Sequence, residues 1–323
     1  MLTYISRRVL YSIPIILIAS FLLFWFVRAT FDPTAHLRTS HSAAHAIAQE
    51  RERLGLNKPV AVQWFDWLKH AVQGDLGRSE LKRENVSTMI SDAFPNTLQL
   101  IGWAVLVSAI AAVVLGVYSA VHQYSKSDYA LTGLAFIGIS MPPFWFALIA
   151  IQFFAVDPQS WFHLDQPIFK TIGLHSAGMS GINPDYFSHL VLPVLTLAVQ
   201  IVAEWSRFQR ASMLDVMSSD YVRTARAKGV PRRKVIYRHA LRNALIPLVT
   251  VMALDIGLLF GGIIVTEKIF SIPGMGSLFL DALSAGDAPV LVAWMVVAAV
   301  FIVAFNLIAD LLYGVLDPRI RLS

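Results

Sequence analysis

The stretch SSDYVRTARAKGVPRRKVIYRHALR, residues 218–242, decides how this chain is read. It is strongly basic, long enough for two short helices, and set between hydrophobic runs that can each cross a membrane. Ser219 or Asp220 can cap a first helix, Gly229 can supply the left-handed position that ends it, and Pro231 suits the first turn of a second. The local chemistry therefore predicts two helices with a corner between them. A segment of this composition reads as a docking surface rather than a linker.

The rest of the chain treats the bilayer as its solvent. Of 323 residues, 56% are hydrophobic and only 15% charged, against about 25% charged in a soluble domain, and the mean hydropathy is +0.60. Zero cysteines exclude disulfides, zinc–thiolate sites and iron–sulfur clusters. The net charge of +5 is modest and unevenly placed, so it speaks to topology rather than to nucleic-acid binding.

Six candidate spans emerge from runs poor in charge. Residues 9–27, 98–120 and 131–156 hold no Asp, Glu, Lys or Arg, and each approaches or exceeds the roughly 20 residues a crossing needs. Residues 190–203 are free of charge up to Glu204, so the fourth span is expected to start near Phe187 and run as one helix through Glu204 and Arg207. Residues 245–265 are interrupted only by Asp255, and 288–309 carry Asn306 as their one strongly polar member. The first run exceeds a signal-peptide core of about 7–15 residues and is followed by RATFDPT, which has no A-x-A cleavage pattern, so it reads as a retained helix.

Orientation follows from the short loops. Arg7 and Arg8 precede the first span, ten Lys/Arg lie between Arg207 and Arg242, and Arg319 and Arg321 close the chain, which places both termini inside. Residues 157–188 hold one Lys, and 266–287 one Lys against three acids, so those loops face out. The expected organisation is an N-terminus and first span over 1–27, an external subdomain over 28–97, and a core over 98–323 that contains the basic loop 206–244. In the external part, residues 41–54 are helix-like, the chain turns at Asn57–Pro59, and Val62, Phe65, Leu68 and Val72 form one helical stripe with Trp64 and Trp67 nearby, suited to the membrane surface or the outer mouth. His36, His41 and His45 have helical spacing but no Cys or clear carboxylate partner, so they read as a solvated face and no metal is expected.

Polar residues near the bilayer are candidates for the pathway. Asp255 sits about ten residues into the fifth span, where an unpaired carboxylate costs several kcal/mol, so it should face the bundle interior or a water-filled path. Pro142 and Pro143 should break or kink the third span, because proline removes a donor and clashes with the previous turn. Glu204 and Arg207 are spaced for an interfacial ion pair, and Asn306 and Asp310 for helix–helix packing. On the outer side, residues 267–283 begin at Glu267, turn at Pro273–Gly274 and continue past Ser277 into an amphipathic helix with Leu278, Leu280 and Leu283 on one face, which fits an outer gate or a plain connector.

Enzymatic readings find no support. There is no H-E-x-x-H, no G-x-S-x-G and no Walker A motif, so the chain has no means of its own to hydrolyse ATP. An intramembrane aspartyl protease needs two carboxylates at similar depth, whereas Asp255 is near mid-span and Asp310 near a span end. A secondary transporter or channel remains the rival of another class, without the inverted repeats expected of many.

Taken together, YVRTARAKGV and HALRNALIP in the basic loop, RRVLYSIPIIL at the start, LGLNKPVAVQWFDWL and GDLGRS in the external segment, FPNTLQL, SMPPFWFAL, EKIFSIPGMGSLFLDAL and NLIADLLYGVLDPRIR resemble the oligopeptide/dipeptide/nickel permeases of binding-protein-dependent ABC importers. The short N-terminus and long first external loop are similar to the first of the two permease subunits such importers pair. The resemblance implies an all-α type I importer permease fold in a prokaryotic inner membrane. It also implies a second permease, two ATPase subunits that carry ATP and Mg²⁺, and an external substrate-binding protein, with no cofactor on this chain. The implied ATPase contact covers Arg223, Thr224, Ala225, Lys228, Gly229, Pro231, Arg232 and Arg233. Where other importers carry Glu this chain has Arg223, so a carboxylate contact with the ATPase does not carry over. The implied substrate is an oligopeptide or dipeptide, with nickel, glutathione or another small solute as alternatives.

Overall fold

A computed structural model describes residues 2–32, 34, 43–53 and 55–316. Among these the chain is helical, and its contacts divide it into two compact units: Leu98–Ile272 with the stretch from Ala304 onward, and Leu2–Thr97 with Pro273–Val303. Among the described residues five helices are long and apolar enough to cross a membrane, and a sixth crossing is made only if one bent pair counts as a span.

In the first unit, α4 (Val86–Val121) and α8 (Pro184–Met217) are the longest helices, and α8 packs against α5 (Lys126–Ser140), α6 (Pro143–Ile151) and α11 (Leu241–Gly262). Lipid does not drive helices together as water does, so close backbone approach matters. A Cβ on Gly116 would lie 2.7 Å from the Ser206 carbonyl oxygen, and one on Gly138 3.2 Å from that of Val199, so glycine lets α4 and α5 reach α8. The fourth span begins three residues before the expected Phe187 and runs unbroken past Glu204 and Arg207. The predicted ion pair between those two does not form; the Arg207 guanidinium instead lies over the Phe136 ring, 4.5 Å from its centroid.

The third span is broken more sharply than a kink. The pair formed by Lys126–Ser140 and Pro143–Trp161 is bent by 103°. Met141 and Pro142 are both extended, with ψ of 122° and 133°, as residues preceding proline are, and Pro143 opens α6. The Met141 carbonyl freed at the break accepts a hydrogen bond from Gln200 Nε2 of α8 at 2.7 Å, the kind of repair a broken helix in lipid requires. Beyond α6 come one π-helical turn and the short α7 (Asp157–Trp161).

In the second unit, α1 (Leu2–Thr30) packs against α3 (Val60–Val72), while α2 (Ala43–Arg53) precedes it. Trp64 meets Phe21 edge-on at 5.5 Å and donates to Ser20, Trp67 lies 6.1 Å from Phe24, and Arg28 grips Gln63 Oε1 through two nitrogens at 3.1 and 2.8 Å. The two tryptophans thus make the contact, while Val62, Phe65 and Val72 of the predicted stripe stay exposed. The helix α4, which begins at Val86, runs across the division of the two units at Thr97 and Leu98.

Residues 267–283 are not one element. Glu267 belongs to α12 (Ile264–Ile269), is fully buried, and accepts the Ile272 N–H on its carbonyl at 2.9 Å. The second unit then takes over with Pro273, whose carbonyl accepts from Asn96, and Met275, whose N–H donates to Thr97 Oγ1 at 2.8 Å. These contacts set the start of α13 (Met275–Ala285), with Gly274 at its N-cap and Ser277 half-buried in its first turn. Met275 and Ala282 form its buried face, and Phe279 lies between them with its ring 4.4 Å from that of Trp294, so Leu283, expected on the packed side, is exposed. The chain then enters the last span, α14 (Ala288–Leu316).

Candidate functional site

The basic segment leaves α8 through Ser218 and forms α9 (Asp220–Ala227). Ser219 has the extended backbone of an N-cap, but its hydroxyl turns back to the Val216 carbonyl and caps nothing. The other end follows the sequence closely. Gly229 has φ +75°, its N–H bonds the Arg226 carbonyl at 3.0 Å, and the Val230 N–H reaches the Ala225 carbonyl at 3.2 Å. That pair of bonds is a Schellman closure. Pro231 sits one residue earlier than expected, at the N-cap of α10 (Arg232–Lys234). The second helix is not separate: a π-turn over Val235–Ala240 carries α10 into α11, so one helical span extends over Arg232–Gly261.

The segment is fixed to the bundle by its own apolar core. Val222 and Ala225 of α9 are buried with Val235, Ile236 and Ala240 of the return limb, Met213 of α8, and Val117 and Ala120 of α4. Burying side chains such as Val222 or Met213 contributes about 1.5–3 kcal/mol each, so the corner is held as one body with the adjoining ends of α4, α8 and α11. Of the residues expected at the docking face, Arg223, Thr224, Lys228, Gly229, Pro231, Arg232 and Arg233 are exposed. Ala225 is the exception: it packs inward, as helical periodicity dictates three residues after Val222. Asp220 makes a long 3.8 Å contact to Arg223 with both side chains in solvent, which is worth little.

Behind this segment lies a cluster that the sequence reading missed. Asp128, 2% exposed, receives Arg210 Nε on Oδ1 at 2.9 Å and Arg210 Nη2 on Oδ2 at 2.8 Å. The Ser119 hydroxyl also donates to Oδ1, and the Tyr124 N–H to Oδ2 at 2.9 Å. One carboxylate thus ties the end of α4, the start of α5 and the basic end of α8 with bidentate geometry. The signal in the sequence was Ser125 three residues before Asp128, a capping pattern whose hydroxyl does receive the Asp128 N–H at 3.2 Å. Nothing local marks Arg210 as its partner.

Asp255 of α11 has a partner too. Its Oδ2 accepts the indole N–H of the fully buried Trp205 at 2.7 Å, while the carboxylate itself is half-buried. Pro142 is exposed and Pro143 half-buried at the α5–α6 break. His36 and His41 lie outside the described residues, and among the described residues no group of three metal-ligating side chains gathers.

Comparison with known proteins covers nearly the whole chain. The model for the binding-protein-dependent transport system inner membrane component matches residues 112–322, and its N-terminal companion matches residues 1–101. The chain belongs to this family. It is 40% identical over 323 residues to the oligopeptide transport system permease protein AppB of Bacillus subtilis, covering 99% of this chain and 100% of that protein. It is 37% identical over 322 residues to the glutathione transport system permease protein GsiC of Escherichia coli K12, covering 99% of each. The GsiC of Salmonella typhi matches to the same extent. This is therefore a multi-pass inner-membrane permease of the ABC type I kind, all-helical as the family requires.

Proposed function

We propose that this permease forms, with a second permease, the pathway of an ATP-driven importer of short peptides. An external binding protein would deliver the substrate, and two ATPase subunits holding ATP and Mg²⁺ would drive the cycle. Both termini and the basic segment lie on the ATPase side in this reading, in keeping with the excess of Lys and Arg there. The observation that carries it is the α9 corner: a cationic surface closed by Gly229 and seated on an apolar core shared with α4, α8 and α11. Such a body transmits a push on its exposed side to the spans it joins. The relatives named for oligopeptides and for glutathione favour a peptide over nickel or another solute.

Reconstitution of the chain with its partner subunits in vesicles tests this. ATP- and binding-protein-dependent accumulation of a labelled tetrapeptide is expected, with no accumulation of Ni²⁺. Uptake that needs neither ATP nor a binding protein would transfer the chain to the secondary transporters.

Asp255 provides a finer test. Asp255→Asn keeps an oxygen for the Trp205 indole, so it should fold like the parent and slow peptide uptake by removing a charge beside the pathway. Asp255→Leu strands a buried N–H at a cost of about 1–3 kcal/mol and should lower the yield of assembled complex. Parental uptake by Asp255→Asn would leave this carboxylate with a structural role alone.

A further inference from the structure

The α4, α5 and α8 helices of the first unit line a groove of about 310 Å³ that none of the described residues fills. Its walls are apolar through Leu115, Leu131, Ala135 and Val202; besides Thr132 on α5, its polar groups Ser119, Ser206, Arg207 and Arg210 gather at the end nearest the basic segment. Along α8 the lining runs from Leu195 to Arg210, about 22 Å at 1.5 Å per residue. That is the depth of one leaflet with its headgroups, half of the roughly 40–45 Å bilayer. The surface beside the groove is apolar as well: Ile110 and Val114 on α4 and Leu134 and Ile137 on α5 are exposed.

The two arginines at the polar end differ. Arg210 is committed to Asp128. Arg207 is exposed, placed over the Phe136 ring, and forms no ion pair with any described carboxylate; Glu204, one turn earlier, lies only within electrostatic reach. A guanidinium fixed by an aromatic face keeps its N–H fork for a phosphate, which it binds in bidentate fashion. Basic pockets between helices on the cytoplasmic side are where anionic headgroups bind.

We propose that this groove is a site for an anionic phospholipid of the inner leaflet, with one acyl chain between α4, α5 and α8 and its phosphate on Arg207. The site would fix the α5–α8 contact beside the basic segment, making headgroup charge a ligand of the permease.

The test uses the protein purified with the subunits that accompany it, exchanged into nanodiscs of equal parts phosphatidylglycerol and phosphatidylcholine, with retained lipid identified by native mass spectrometry. The parent should keep phosphatidylglycerol over phosphatidylcholine, Arg207→Gln should keep at least fivefold less, and Arg207→Lys should fall between. The chain has no cysteine, so Leu134→Cys gives a single reporter, expected to react with a membrane-soluble maleimide in the assembled complex. Equal retention of the two lipids, unchanged retention in Arg207→Gln, or crosslinking of Leu134→Cys to a neighbouring polypeptide would overturn the proposal.

Discussion

Arg210→Ala is expected to prevent most of the protein from reaching a stable complex. Asp128 is 2% exposed in the parent, and the substitution leaves its carboxylate with the Ser119 hydroxyl and the Tyr124 N–H still bonded but no counter-charge. Removing one partner of a buried ion pair costs about 3–5 kcal/mol, because the remaining charge stays desolvated. On the scale of about 2 °C per kcal/mol for chains of this size, surviving complex should melt roughly 6–10 °C lower. Replacing both groups removes the stranded charge, so Asp128→Leu combined with Arg210→Leu should recover most of the loss. A double variant as poor as Arg210→Ala alone would mean that the bidentate geometry, and not the charge, is what the bundle needs.

How much of this could be read beforehand depends on the range of each interaction. The spans were legible because lipid demands long uncharged runs, and the corner at Gly229 because a positive φ calls for glycine at one place in the chain. The angle of the third span was only half legible. Pro142 and Pro143 announce a break, but 103° is possible because Gln200, nearly sixty residues away, satisfies the Met141 carbonyl. The Asp128–Arg210 pair joins residues 82 apart and leaves no periodic trace. For α13 the three leucines gave a plausible apolar face, yet packing is led by Met275 and Phe279, because the start of the helix is pinned by Thr97 and Phe279 finds Trp294. The sequence marks Asp255 as a carboxylate in an apolar run, but its hydrogen-bond partner Trp205 lies on another helix, 50 residues away, and leaves no local trace.

Gly229→Val tests whether the corner transmits motion. No heavy atom lies within 4 Å of the position a Cβ would take at Gly229, so the valine Cβ itself meets open space. Its effect comes through the backbone. At φ +75° a β-branched residue pays about 1–3 kcal/mol, and the chain can avoid that by opening the Gly229–Arg226 and Val230–Ala225 bonds, which lets α9 rotate on its core. The spans keep their packing, so membrane insertion and assembly should match the parent. What should fall, by roughly tenfold for each 1.4 kcal/mol of lost coupling, is substrate-stimulated ATP hydrolysis by the partner subunits. Asn tolerates the left-handed region better than other side chains, so Gly229→Asn should retain most of the stimulation although its side chain is larger than that of Gly229→Ala, which should lose more. That order, Asn above Ala above Val, follows backbone preference rather than size. If stimulation instead falls with side-chain volume, the corner is a contact surface and not a lever.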